Sequence, residues 1–71
     1  MSKRGALVVY DVDGTILYVI NDCYSEGIDI EPHNKPKGIP SMEFEYGELD
    51  GKELIRIDVS VPDNHKPIFK I

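Results

Sequence analysis

Cysteine is nearly absent from this sequence. Of its 71 residues only Cys23 is a cysteine, and a single thiol cannot form a disulfide within the chain. Packing and hydrogen bonds therefore have to hold the fold, although a chain of this length buries only about 60% of its unfolded surface. An unpaired thiol suits a reducing compartment, and we interpret Cys23 as a partly buried apolar side chain.

Positive charge and long apolar runs are also scarce. The sequence has 8 basic residues against 13 acidic ones, which gives a net charge of −5 at pH 7. Proteins that bind nucleic acids present a basic stripe, so nucleic acid is not expected as a partner. No apolar run approaches the ~18 residues of a membrane-spanning helix. We expect a soluble, intracellular protein with no membrane association.

Helical periodicity is missing as well, and the chain instead contains apolar segments separated by turns. Residues 6–12 and 15–20 are rich in β-branched and aromatic side chains, and Asp13-Gly14 lies between them. Asp-Gly is typical of a two-residue type I′ turn, in which both residues need a positive φ. The sequence thus predicts a hairpin over residues 6–20, in which the opposite pairs are Leu7 with Ile20, Val8 with Val19, Val9 with Tyr18, Tyr10 with Leu17, Asp11 with Ile16, and Val12 with Thr15.

Both faces of this first hairpin are apolar, whereas a hairpin with one face in water alternates apolar and polar residues. Both faces are therefore expected to be covered. The second cover is either the loop that follows or another subunit or partner protein, and periodicity does not separate these alternatives. Because the chain is short, we predict a homo-oligomer. The candidate interface is the outer face of the hairpin, formed by Leu7, Val9, Tyr18 and Ile20.

The middle of the chain predicts an extended loop. Residues 21–41 include Pro32, Pro36 and Pro40, and proline removes a hydrogen-bond donor and fixes φ. A short edge strand is expected near residues 28–31, where apolar and polar residues alternate.

A second hairpin is predicted over residues 42–61, around Asp50-Gly51, and an edge segment over residues 62–71. Together these patterns predict a single all-β domain over residues 1–71, with two antiparallel Asp-Gly hairpins packed as a small sandwich or a partly open barrel. In the second hairpin the expected pairs are Met42 with Val59, Phe44 with Ile57, and Tyr46 with Ile55.

Residues 7–17, LVVYDVDGTIL, resemble the opening motif of the haloacid dehalogenase family of phosphohydrolases, an apolar strand followed by Asp-x-Asp-Gly-Thr. The resemblance implies that Asp11 is a nucleophile and Asp13 a general acid and base, with a magnesium ion beside both. That family is built on a parallel sheet, in which each strand needs a crossover of a dozen or more residues. Several such crossovers do not fit into 71 residues.

We therefore interpret Asp13-Gly14 as a turn and predict that the protein is not an enzyme and uses no metal or other cofactor. A magnesium-dependent phosphohydrolase acting through Asp11 and Asp13 is the third alternative, after the two given below. His33 and His65 lie in proline-containing loops without the spacing of metal ligands, so they are predicted to be solvated.

A broader resemblance covers most of the chain. The successive segments VYDVDGTIL, KGIPSMEFEYGEL, LIRIDVSV and KPIF resemble small proteins from the tail and host-lysis regions of bacteriophages and prophages of Gram-positive bacteria. The resemblance implies a non-enzymatic accessory protein that acts by protein–protein contact, in the virion or in the host bacterial cytoplasm. The alternative is a small acidic phage inhibitor that binds and blocks a bacterial defence or host enzyme, since open strand edges can extend a partner's sheet.

Overall fold

The computed structural model describes residues 2–71, which form seven strands and no helix. All paired strands are antiparallel, so the prediction of an all-β protein is confirmed. No helix that could span a membrane occurs among these residues. The strands are β1 (Ser2–Arg4), β2 (Leu7–Tyr10), β3 (Ile16–Ile20), β4 (Cys23–Ser25), β5 (Ser41–Glu43), β6 (Leu54–Asp58) and β7 (Lys66–Phe69).

These strands form three small sheets. The largest has the order β3-β2-β5, so β2 is its central strand and β3 and β5 are its edges. The other two sheets are the pairs β1-β4 and β6-β7. The arrangement is consistent with the predicted small sandwich, or with a partly open sheet in place of the predicted partly open barrel, since the strands of residues 2–71 do not close into a barrel.

The first hairpin has the predicted register in its strands but a different turn. Leu7, Val8 and Val9 lie opposite Ile20, Val19 and Tyr18, as predicted. In the turn, however, Asp13 does not have a positive φ, while Gly14 has a φ of 94°. The Asp11 N–H donates to Thr15 O, and the Gly14 N–H donates to Asp11 O, which defines a three-residue loop in place of the type I′ turn.

A bulge at Leu17 restores the register that this longer loop shifts. Tyr10 lies opposite Ile16 instead of Leu17, and the register changes between Val9 and Tyr10. The loop holds one residue more than predicted, and the bulge adds one residue to β3. The two irregularities cancel, which is why the pairs beyond them agree with the prediction.

The second hairpin is not formed, and its strands pair elsewhere. β5 pairs with β2, where Met42 lies opposite Val8, and β6 pairs with β7. Between β5 and β6 the backbone makes three successive turn hydrogen bonds, to the carbonyl oxygens of Glu45, Gly47 and Leu49. If β5 and β6 paired across Asp50-Gly51 as predicted, β2 would have only one neighbouring strand, although it is apolar on both faces.

Charge also favours the observed partner of β6. The predicted hairpin sets Glu43 opposite Asp58, and like charges on opposite residues destabilise a sheet. In the structure Asp58 lies opposite Lys66. Near the other end of the same pair, Lys70 Nζ is 3.7 Å from Glu53 Oε2, and the Lys70 N–H donates to Glu53 O. The predicted C-terminal edge segment is therefore the partner strand of β6.

The edge strand expected near residues 28–31 is also absent. This part of the chain runs beside β1 and is held by side chains instead of a backbone ladder. Ser2 Oγ donates to Asp29 Oδ1 at 3.1 Å, and Arg4 Nη1 donates to Glu31 O at 3.1 Å. Pro32 lacks the N–H that a continuing strand needs, which explains why no regular pairing extends along this segment.

The core lies on both faces of β2, whose four residues are all buried. Because side chains alternate along a strand, Val8 and Tyr10 lie on one face, and they pack in a cluster with Ala6, Phe44 and Ile57. Leu7 and Val9 lie on the other face and are also fully buried. The chain itself therefore covers both faces of β2.

Candidate interaction edge

The structure divides the four residues of the predicted interface into two groups. Leu7 and Val9 are 0% exposed, whereas Tyr18 is 48% and Ile20 38% exposed. All four share one face of the first hairpin, since Leu7 lies opposite Ile20 and Val9 opposite Tyr18. Only the residues on β3 are therefore accessible to a partner, and sequence pattern did not separate the central strand from the edge strand.

The accessible apolar surface continues along β3. Leu17 is 49% and Val19 39% exposed, so four consecutive apolar residues of one strand meet solvent. β3 pairs only with β2 within the described residues. We use the term β3 edge for residues 17–20. An apolar edge strand of this kind is a template for pairing with another chain.

The backbone of the β3 edge is also directed outward at Val19. The Tyr10 N–H donates to Pro40 O, and Ala6 O accepts from the Phe44 N–H, so even-numbered residues of β2 direct their backbone groups towards β5. By alternation, Leu7 and Val9 direct theirs towards β3, where they exchange hydrogen bonds with Ile20 and Tyr18.

The backbone N–H and C=O of Val19, between those two residues, consequently point away from β2. The bulged residue Leu17 is likewise outside the regular ladder. The β3 edge thus offers both apolar side chains and unpaired backbone groups.

Carboxylates flank the β3 edge at both ends. Residues 11–22, DVDGTILYVIND, contain three aspartates and no basic residue. The Asp13 side chain accepts from the Thr15 N–H at 2.9 Å, and Asp22 Oδ2 accepts from the Gly47 N–H at 2.7 Å. The guanidinium of Arg56 lies 3.4 Å from the backbone oxygen of Asp13. The edge is apolar at its centre and has aspartates at both ends, with Arg56 beside Asp13 and Arg4 opposite Cys23, the residue next to Asp22.

The phosphohydrolase-like pair, Asp11 and Asp13, lies in the turn of an antiparallel hairpin. Asp11 Oδ1 accepts from the Val12 N–H, and Asp13 Oδ1 accepts from the Thr15 N–H. Both side chains are exposed. After the motif the chain returns directly along β2 as β3, whereas a parallel sheet needs a crossover at this point. No group of three possible metal-ligating side chains is found among residues 2–71. The local geometry is that of a turn stabilised by aspartate side chains.

Asp13 gives this turn a predicted pH dependence. The hydrogen bond from the Thr15 backbone, together with that from its side chain, holds the pKa of Asp13 below its usual value of 3.8. A lowered pKa in the folded state means that the ionised carboxylate stabilises the fold above pH 3.8, and that this contribution is lost as the pH falls through the folded-state pKa. In Asp13→Asn the amide oxygen still accepts the bond but no longer titrates. We expect a shallower decline of Tm below pH 3.8 than in the wild type.

The check is a series of thermal melts from neutral pH into this acid range. Asp58→Asn is the matched variant, because the pKa of Asp58 is lowered in the same way by a hydrogen bond from the Ser60 backbone. The two substitutions should act in the same direction. An Asp13→Asn protein that loses Tm as steeply as the wild type would contradict this account.

Both histidines make polar contacts with distant residues and are partly buried, so the prediction that they are solvated is wrong. Tyr10 Oη and His65 Nδ1 are 2.7 Å apart, and their rings meet edge to face. His33 Nε2 lies 2.6 Å from Gly5 O, which can only accept. The sequence separations are 55 and 28 residues, and no local pattern signals contacts of that range. Burial raises the pKa of Tyr10, so its hydroxyl is protonated at neutral pH and can donate to His65.

Comparison with known proteins finds no matching family model, no matching curated protein and no matching solved structure.

Proposed function

We propose that this protein is non-enzymatic and acts by binding another protein through the β3 edge. The observation that carries the proposal is that four half-exposed apolar residues lie on a strand edge that pairs with no other strand of residues 2–71. A partner strand added here gains backbone hydrogen bonds to Val19 and buries Tyr18 and Ile20, which is recognition by β-strand addition. Association through this edge buries apolar surface that the monomer leaves in water.

The biological setting is a phage-type accessory protein, either in the virion or in the host bacterial cytoplasm. The resemblance to tail-region and host-lysis-region proteins supports this part of the proposal. A second candidate is an inhibitor that blocks a bacterial defence or host enzyme. The acidic character of the chain, with a net charge of −5, and its open strand edge favour that role. Detection of the protein in purified virions supports the accessory role, and a stable complex with a purified host enzyme supports the inhibitor.

The edge is tested by Val19→Lys, because a charge on an edge strand discourages further pairing. The matched control is Val61→Lys, since Val61 is 53% exposed and lies outside the three-stranded sheet. Partners are captured from the bacterium that encodes the protein and from purified virions. Each partner is identified, and its complex with the protein is rebuilt from purified components. We expect Val19→Lys to weaken the rebuilt complex at least about tenfold, since loss of a contact at the centre of an interface costs about 2 kcal/mol or more, while Val61→Lys leaves it unchanged.

Sedimentation of the protein alone tests whether the partner is a second copy, as the predicted homo-oligomer requires. Circular dichroism of both lysine variants shows whether they are folded. A complex that tolerates Val19→Lys as well as it tolerates Val61→Lys would exclude the β3 edge as the contact surface. A folded protein that stays monomeric and binds nothing in either source would overturn the proposed function as a whole.

A further inference from the structure

The charge around the β3 edge restricts the kind of strand that can pair with it. Three of the 13 acidic residues of the chain fall within residues 11–22, and none of the 8 basic ones does. Asp11 and Asp13 lie in the turn before β3, and Asp22 lies two residues after it. The strand between them is uncharged and apolar. A partner strand that runs along this edge passes near aspartates at both of its ends.

Resting on the proposed function, we infer that the partner of the β3 edge is a short extended segment of a different protein, apolar at its centre and carrying Lys or Arg at both ends. The apolar centre packs on Tyr18, Val19 and Ile20, and the basic ends lie near the flanking aspartates. Complementary charge of this kind selects partners and speeds their encounter more than it adds affinity. Charge thus selects among the strands that are able to pair with the β3 edge.

The length of the segment follows from the limits of the edge. The ladder is interrupted at Leu17, where the register shifts, and β3 ends at Ile20. Beyond Ile20 the side chain of Asp22 accepts a hydrogen bond from the Gly47 N–H. This contact places the segment around Gly47 near the C-terminal end of β3. A partner therefore pairs regularly with only a few residues around Val19, and its charged residues follow directly on either side.

A second copy of this chain fits the edge less well. Two β3 strands that pair in antiparallel fashion bring two sets of residues 11–22 together, which combines six aspartates without a basic residue. Two guanidinium groups lie near this segment: that of Arg56 contacts the backbone oxygen of Asp13, and that of Arg4, which lies opposite Cys23, donates to Glu31 O. Like charges at these distances repel most strongly at low salt. Charge therefore favours a basic-ended partner over self-association.

The test uses three fluorescent peptides and the full-length protein. The first has a five-residue core of alternating Thr and Val flanked by two lysines at each end. The second has the same core flanked by glutamates, and the third is the lysine peptide with proline at its central position. Fluorescence anisotropy is measured between roughly 20 mM and 300 mM salt, a range over which screening shortens the reach of surface charges severalfold.

We expect the lysine peptide to bind about tenfold more tightly than the glutamate peptide at low salt, because several weak surface attractions act together, and this ratio to fall as salt is added. The proline peptide should bind more weakly than the lysine peptide, since it lacks an N–H for the ladder. Val19→Lys should weaken binding of the lysine peptide, and Val61→Lys should not. This pattern supports the inference.

Other outcomes separate the inference from the proposed function. Equal affinity for the lysine and glutamate peptides, with both sensitive to Val19→Lys, would overturn the charge selection and leave the edge as the binding surface. Self-association that is lost in Val19→Lys and that excludes the lysine peptide would make a second copy the occupant, and would overturn the inference alone. Absence of any peptide or protein binding at the edge would overturn both.

Discussion

Replacing Gly14 with alanine is expected to leave most of the protein unfolded. Gly14 has a φ of 94°, a conformation that costs a residue with a Cβ about 1–2 kcal/mol. It is also buried against β6, since its carbonyl oxygen accepts from the Ile57 N–H at 2.9 Å. A Cβ at this position would lie 2.0 Å from Ile57 O. The first hairpin and β6 must then separate, which breaks that hydrogen bond and opens the packing around Ile57.

The combined loss is about 3 kcal/mol or more, comparable to the ~3–5 kcal/mol that the core of so small a domain supplies. Gly51→Ala is the matched control, because Gly51 also has a positive φ, 73°, but no residue other than its chain neighbours has an atom within 4 Å of the position of its Cβ. It should cost only the conformational part, about 1–2 kcal/mol. Urea unfolding measures the free energy of unfolding of Gly51→Ala and of the wild type, and circular dichroism without denaturant gives the folded fraction of Gly14→Ala, from which its loss follows. Equal losses would show that the contact between Gly14 and β6 adds nothing to the fold.

The turn itself could be predicted from residue types, but the contact that makes Gly14 irreplaceable could not. Asp-Gly between two apolar runs is a local signal, and the hairpin lies where that signal places it. The contact of Gly14 with Ile57 joins residues 43 positions apart, and a pattern of period two carries no information on such distances. The same pair of residues at 50–51 predicts a hairpin that does not form. There Gly51 has a positive φ and turns the chain, but it does not connect paired strands.

Strand pairing was less predictable than strand positions for a physical reason. An apolar strand with two dry faces gains most when it has a neighbour on each side, and β2 obtains its second neighbour, β5, from across the loop. The local turn signal at 50–51 competes with that gain and with the better charge match between β6 and β7. Which strands pair therefore depends on the whole chain and cannot be predicted from any single segment.

For the candidate site, too, the sequence predicted the local pattern but not the strand pairing. The alternation of residues correctly assigned Leu7, Val9, Tyr18 and Ile20 to one face of the hairpin. It could not show that β2 becomes central and β3 an edge, which decides that two of these residues are buried and two exposed. The aspartates on both sides of β3 are visible in the sequence, but their importance appears only when the structure shows that β3 has no second partner strand among residues 2–71.

Gly5→Ala is expected to have an even larger effect on stability than Gly14→Ala. Gly5 lies between β1 and β2, and a Cβ added to it would lie 1.5 Å from Phe44 O and 2.6 Å from Phe44 C. These are backbone atoms at the end of β5, so no side-chain rotation relieves the overlap. Phe44 itself is held in place, because its N–H donates to Ala6 O at 2.8 Å and its side chain packs in the core cluster.

The chain between β1 and β2 can accept a methyl group only if β5 moves away from β2. That movement breaks the bond to Ala6 and uncovers Phe44, whose complete removal from a core costs about 3–5 kcal/mol. Because this equals the whole stabilisation that such a core supplies, about 3–5 kcal/mol, we expect Gly5→Ala to be unfolded in the absence of denaturant. Circular dichroism of the purified variant, without the wild-type thermal transition, is the expected result.

Gly27→Ala is the control for this substitution. Gly27 lies in the loop after β4, and no residue other than its chain neighbours has an atom within 4 Å of the position of its Cβ. A surface change of this kind should alter the free energy of unfolding by about 0.5 kcal/mol or less. If Gly5→Ala keeps a cooperative transition, hydrogen exchange at the Phe44 amide provides the second measurement, because that N–H is protected only while β5 is paired. Wild-type protection at Phe44 in a folded Gly5→Ala protein would contradict the close packing of Gly5 against β5.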